Sequence, residues 1–326
     1  MPAGFTACMH YTFARPQVDI HSVGGMHGEN WFVEFEYGYY GSIHHLRDGW
    51  HWSHFRMDLG PFETLDQAIH LAYTFFSGRG LEIRPNGETY TVRMCGRYAI
   101  APSRGDAWAT MGEVLGADIE AMLNTLEPNF NIAPTTQIPI VVQNPKTREI
   151  RALLARWGFI PHWWREVTPP KFSTINARSE EAASKPLWRD AYRQRRCLIA
   201  ATHWYEWRHV DKKTKEPYAL QVENGEAFMF AGLYSHWTPP GSDESIYTAA
   251  IITRDASPSV RDVHDRMPVI LHPGVWRDWI DPSTTDTGQI SDILVNHAIL
   301  EAKGYKISAK VNSPKNQGPE ILVPAE

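Results

Sequence analysis

Cysteine is scarce in this chain: 326 residues carry three, Cys8, Cys95 and Cys197. They are odd in number, far apart and outside any C-x-x-C pairing, which excludes a disulfide framework or a zinc ribbon and fits a reducing cytoplasm. Long hydrophobic runs are missing too. None approaches the ~18 apolar residues of a membrane-spanning helix, so no membrane partner is expected. The opening stretch MPAGFTACMHYTFARPQ has no basic region followed by an apolar one, so no secretory signal is expected. No G-x-G-x-x-G turn and no G-x-x-x-x-G-K-[ST] loop occurs, so nucleotide cofactors are not indicated. Internal repeats and low-complexity tracts are lacking as well. Lysine first appears at Lys146, which leaves the front of the chain poor in positive charge.

What is present is globular. Apolar residues make up 43% and charged residues 21% of the chain, enough for a sizeable core in one large or two smaller domains. The net charge of -5 hides a sharp asymmetry. Residues 1–93 carry six Arg against ten Asp/Glu, whereas residues 151–215 carry fourteen Lys/Arg against six Asp/Glu. Local charge decides whether phosphates are attracted, so the second segment is the one to watch.

Residues 1–93 read as a small β-β-α unit. Residues 31–37 and 49–55 alternate apolar and polar positions, as half-buried strands do. Thr64 and Gln67 form a capping box for a helix whose apolar face is Leu65, Ala68, Ile69, Ala72, Phe75 and Phe76, ended by Gly78 and Gly80. His44, His45, His51 and His54 have no carboxylate or Cys at ligand spacing, so a polar strand face is expected there and no metal.

From residue 94 the pattern is α+β. Apolar strand-like runs recur at 138–142, 197–201, 227–231 and 249–252, with helical stretches near 106–124 and 178–194 between them. A curved or barrel-like mixed sheet is expected, not alternating βαβ units. Four islands combine polar with apolar or aromatic groups: 94–98 (MCGRY), 173–180 (STINARSE), 204–207 (WYEW) and 263–268 (VHDRMP). Singly, each has a structural explanation. Together they bring a thiol, a carboxamide, a carboxylate and an imidazole, the parts of a nucleophilic site. The interleaved arginines fit an anionic substrate. Trp157, Trp163, Trp164, Trp204 and Trp207 supply flat apolar faces, and Arg with Trp is the mixture single-stranded nucleic acid selects.

Segment 94–326 resembles the SOS response-associated peptidase (SRAP) family of abasic-site processing proteins. The islands above carry the resemblance, joined by 131–135 (NIAPT), 156–161 (RWGFIP) and 308–312 (SAKVN). It implies a protein that recognises abasic sites in single-stranded DNA and protects them during a DNA damage response. It further implies a monomer of the cytoplasm and nucleoid, with no cofactor. In the family, an N-terminal Cys forms a thiazolidine with the abasic sugar through its α-amine and thiol. Carried over by position, Cys95 is the nucleophile and Glu206 orients its amine and shuttles protons. His264 acts as general acid/base on the sugar, and Asn176 orients the reacting groups. Arg97 and Arg178 contact phosphates, Trp157 and Trp207 stack beside bases, and Thr253 lines the pocket.

Two other readings stay open at this level. Cys95, His264 and Glu206 could serve a peptidase acting on the chain itself, or the domain could bind single-stranded DNA without catalysis. The chain also departs from the family pattern, because 93 residues precede Met94 and leave the nitrogen of Cys95 an amide. The expectation is that residues 1–93 form a separate unit without catalytic residues, and that the active species has a free Cys95 amine.

Overall fold

In the computed structural model, backbone and side chains are described for residues 96–102, 106–170, 173–211, 214–223 and 227–325, and backbone strands alone for parts of 8–91. The chain divides into two compact units, Met1–Arg93 and Met94–Glu326.

In the first unit, six antiparallel strands pair in chain order: β1 (Cys8–Tyr11), β2 (Val18–Gly25), β3 (Gly28–Phe35), β4 (Gly38–Leu46), β5 (Gly49–His54) and β6 (Met57–Phe62). The strands read at 31–37 and 49–55 correspond to β3 and β5. The others are diluted by glycines at 24, 25, 38, 41 and 60, which weaken an alternation signal without preventing pairing. His44 pairs with His51 in the β4–β5 register. A short hairpin follows, β7 (Leu81–Ile83) with β8 (Thr89–Thr91). The helix expected after Thr64 lies outside the described residues.

The second unit is α+β and holds two sheets. One has the order β10 (Asn129–Ile132), β9 (Tyr98–Ile100), β15 (His203–His209), β16 (Lys215–Val222), β20 (Ala302–Lys306). The other contains β11 (Gln137–Gln143), β12 (Ile150–Trp157), β14 (Arg196–Ala201), β17 (Phe228–Trp237) and β18 (Ile246–Asp255). Their pairings run β18–β12–β11–β14–β17 and back to β18, so these strands close into a barrel. The closing contact is parallel and short, Arg156 and Trp157 against Thr248 and Ala249. Two edge strands extend it: β13 (Asn176–Arg178) runs parallel to β18, and β19 (Arg266–Pro268) pairs antiparallel with it.

The sequence dictates this locally. Every residue of β14 is buried, as is the run Ile138–Val142 of β11, which is why these strands read as continuous apolar stretches instead of alternating ones. The helical stretch 106–124 is broken into α1 (Ala109–Leu115) and α2 (Ala117–Asn124) by Gly116, whose φ of 121° an L side chain avoids. The stretch 178–194 is likewise split, into α3 (Ser179–Ala182) and α4 (Arg189–Gln194), around Pro186. Helices α5 (Trp276–Ile280) and α6 (Thr287–Asn296) follow, and the side chain of Asp286 caps α6 by accepting from the Gln289 amide. Among the described residues no helix is long and apolar enough to cross a membrane.

Candidate active site

Glu206 lies on β15, between Tyr205 and Trp207, and its side chain is fully buried. The strand is held next to the start of the domain: the Tyr205 amide donates to the Arg97 carbonyl (3.0 Å), and Trp204 pairs with Tyr98. Cys95, two residues before Arg97, lies outside the described residues. The described chain resumes at Gly96, beside the strand that carries Glu206.

His264 comes from the other sheet, on the turn leading into β19. Its Nε2 stands 3.9 Å from Oε2 of Glu206, so the imidazole bridges barrel and sheet. The opposite face of the ring is closely surrounded. Nδ1 accepts from the Arg266 amide at 3.0 Å and lies 3.0 Å from Oδ1 of Asp265. Burial pushes the His264 pKa below the ordinary histidine value, against the attraction of Asp265 and a backbone hydrogen bond with Arg266, and electrostatic interactions with His209 and Lys215 push the same way as burial. The ring is therefore neutral at pH 7, the form from which it can take up a proton.

Asn176, Arg178 and Thr253 are gathered at the barrel edge. Asn176 opens β13 opposite Ile251, and Arg178 is paired with Thr253. Thr253 in turn faces Pro268 of β19. Asn176 thus occupies a strand and caps no helix. Thr253 is completely buried.

Three further candidates have partners within the protein. Arg97 is half-buried, and its guanidinium donates to Asn131 Oδ1 (3.0 Å) and to the carbonyls of Val311 (2.8 Å) and Asn312 (3.4 Å). Asn131 is fully buried and donates to the Val311, Ser313 and Asn316 carbonyls, so the pair fastens the C-terminal segment to β10. Trp157 has 0% exposure, donates Nε1–H to the Ile175 carbonyl and packs edge-on against Tyr98 at 5.3 Å. It offers no open face to a base, because the β12–β18 contact encloses it. Trp207 is half-buried and donates to Asn312 Oδ1 at 2.7 Å.

Among the described residues, the tryptophan most open to solvent is Trp163, at 42%. Its loop leaves the barrel at Ile160, whose amide donates to Thr248 Oγ1, and returns at Thr174, whose carbonyl accepts from Phe159, two residues before Asn176. Gly158 makes the exit possible. Its φ is 130°, and a Cβ there would come within 2.7 Å of the Arg156 guanidinium, which explains the glycine after Trp157.

Two residues that sequence reasoning left without a role connect the islands. Arg266 makes a two-point pair with Glu180 at 2.7 and 2.9 Å, and also bonds Asp255 and the Thr253 carbonyl. Both residues sat inside recognised motifs, so their presence was visible. That they pair was not, because one comes from helix α3 and the other from strand β19, far apart in the sequence.

Fold and site together define a protein with a closed barrel, a flanking sheet, and a buried carboxylate–imidazole pair where the two meet. The family model for SOS response associated peptidase (SRAP) matches residues 94–314. The chain is 33% identical over 229 residues to the abasic site processing protein YoqW of Bacillus subtilis, covering 70% of this chain and 99% of that one. It is 30% identical over 223 residues to the abasic site processing protein HMCES of Xenopus tropicalis, covering 60% and 66%. A crystal structure of a Bacteroides thetaiotaomicron protein shares the fold with a TM-score of 0.55 at 24% identity, covering 70% of this chain and all of that one. The chain belongs to the SRAP family.

Proposed function

We propose that this protein captures abasic sites in single-stranded DNA as a covalent adduct on Cys95. The α-amine of Cys95 attacks the C1′ aldehyde of the ring-opened sugar, and the carbinolamine loses one water to give an imine. The thiol then adds to the same carbon, its proton passing to nitrogen. One C–N and one C–S bond form, the C=O bond is lost, and water leaves. Only a Cys bearing a free α-amine offers both groups on adjacent carbons, and an α-amine near pKa ~8 is partly neutral at pH 7. A Cys95 nitrogen in amide linkage is not nucleophilic, so the reaction requires the bond between Met94 and Cys95 to be absent.

The observation that carries this reading is the 3.9 Å approach of His264 to buried Glu206, beside the strand that follows Cys95. A buried carboxylate and a neutral imidazole beside it can take a proton from the amine and return one to the departing oxygen. The basic segment 151–215 supports an anionic partner. Exposed Trp163 supports a strand with open base faces, because duplex bases are already stacked.

The test is a denaturing gel. Protein whose mass verifies a free Cys95 amine is mixed with single-stranded oligonucleotides with and without an abasic site. A heat-stable shift with the abasic strand alone, lost in Cys95→Ser, is expected. Fully denaturable binding to both strands overturns covalent capture, and Cys95-dependent cleavage of casein without any adduct points instead to a peptidase.

A further inference from the structure

Arg266 holds a guanidinium in a site that leaves it almost no solvent, 6% exposed at the side chain, and spends it on protein groups. Two nitrogens meet the two oxygens of Glu180, one also meets Asp255, and one reaches the carbonyl of Thr253. A bidentate pair of this kind fixes direction as well as distance, because the planar fork matches a carboxylate in one orientation. The pair joins α3, directly after the strand that begins at Asn176, to β19, which begins two residues after His264. Glu180 is held below the ordinary carboxylate range: burial pushes it up, but the hydrogen bonds from Arg266, a backbone hydrogen bond and the charges of Arg266 and Arg178 together outweigh this. It therefore stays charged, and the clamp closed, through neutral pH.

The consequence falls on His264. The amide of Arg266 donates to its Nδ1, and the carbonyl of the same residue lies 3.2 Å from that atom. The Arg266 peptide presents both a donor and an acceptor to one ring nitrogen, so moving residue 266 moves the partner that sets the tautomer. The ring's other nitrogen faces Glu206. We infer that Glu180, acting through Arg266, is the positioning residue that fixes the orientation and tautomer of His264 against Glu206. This rests on the adduct chemistry proposed above only for its kinetic arm; the ring itself can be read without DNA.

Two measurements test it on the Glu180→Gln variant, which keeps shape and removes the charge from a side chain 47% exposed, and a thermal melt verifies folding. The first is ¹⁵N and ¹H NMR of the histidine rings in the full-length chain, with His264 assigned through His264→Ala. A changed tautomer balance and a shifted titration of His264 are expected. The other groups that face or act on the ring, Glu206, Asp265, His209 and Lys215, are unaltered by the substitution. The second is the adduct assay with a free Cys95 amine. At saturating abasic strand, a rate lowered about tenfold or more is expected, with affinity and its salt dependence unchanged and partial recovery in Glu180→Asp. His264 resonances identical to those of the unaltered protein overturn the inference. So does weaker binding with a shallower salt dependence at an unchanged maximal rate, which would assign the clamp to phosphate binding. If the unaltered protein forms no adduct, the capture reading fails and the ring spectra still decide this one.

Discussion

His264 Nε2 and Glu206 Oε2 stand 3.9 Å apart, one on the turn before a barrel-edge strand and the other on a sheet strand. Neither sheet alone contains the pair, so the proposed chemistry depends on how the two sheets meet. Glu206→Gln keeps the shape and removes the proton acceptor, and His264→Ala removes its partner. Each should slow adduct formation by about 10²–10⁴-fold at saturating DNA while changing affinity little. Rapid-quench rates beside equilibrium titrations separate the two effects, and a variant that altered affinity alone would remove the residue from the chemistry.

Trp157 and Trp163 should behave oppositely. Trp157→Ala empties a core site and should destabilise the domain by about 3–5 kcal/mol in urea unfolding, with the salt dependence of DNA binding unchanged in whatever protein remains folded. Trp163→Ala alters an exposed side chain and should leave stability within about 0.5 kcal/mol. It should weaken single-strand affinity by about 1–3 kcal/mol if one base stacks there. Unaltered single-strand binding by Trp163→Ala would remove that indole from the interface.

Arg196 is buried at the start of β14, and its guanidinium donates to the carbonyls of Trp279, Tyr192, Arg193, Asp281 and Thr284. Burial lowers its pKa to about 10, so it remains charged at pH 7. Arg196→Ala should cost at least about 3 kcal/mol, since several carbonyls lose a charged donor in a dry site. Arg196→Lys should also destabilise, because one ammonium cannot span acceptors arranged around a planar fork. Denaturant midpoints check both, and a lysine variant as stable as the unaltered protein would contradict the geometric argument.

Acid should weaken the domain through its histidines. Burial lowers the His203 pKa from 6.5 to about 4, with a hydrogen bond to Gln221 opposing it. Above pH 6.5 the ring is neutral folded and unfolded and contributes nothing. Below it the unfolded chain binds a proton that the folded one refuses, so stability falls as pH drops from 6.5 to about 4, by up to about 3 kcal/mol. His264, also lowered by burial, acts in the same direction. Unfolding free energies across this range should flatten in His203→Gln, and an unchanged slope there would place the acid sensitivity elsewhere.

The sequence alone was enough to identify the elements whose cause is local. The run 138–142 reads as a strand because every residue in it is apolar, whereas 106–124 and 178–194 read as unbroken helical stretches and the structure breaks them at Gly116 and Pro186. The family was legible for a related reason: motifs such as 156–161 and 263–268 keep residue types that turns and buried pairs demand, Gly158 among them. The six-strand count of the first unit was not legible, since glycines blur the alternation that marks a strand.

Tertiary structure decided what each polar or aromatic residue in those motifs does. Trp157 and Trp163 are both tryptophans in one basic segment, and nothing local separates a core ring from an open one. Burial of Trp157 follows from the short parallel contact that closes the barrel. Arg97 and Arg266 are both arginines in recognised motifs, yet both are committed to protein partners supplied from far along the chain. Hydrophobic periodicity acts over a few residues and so can be read in one dimension. Whether a charge meets solvent, a carboxylate or a carbonyl is settled only when distant strand edges are brought to hydrogen-bonding distance.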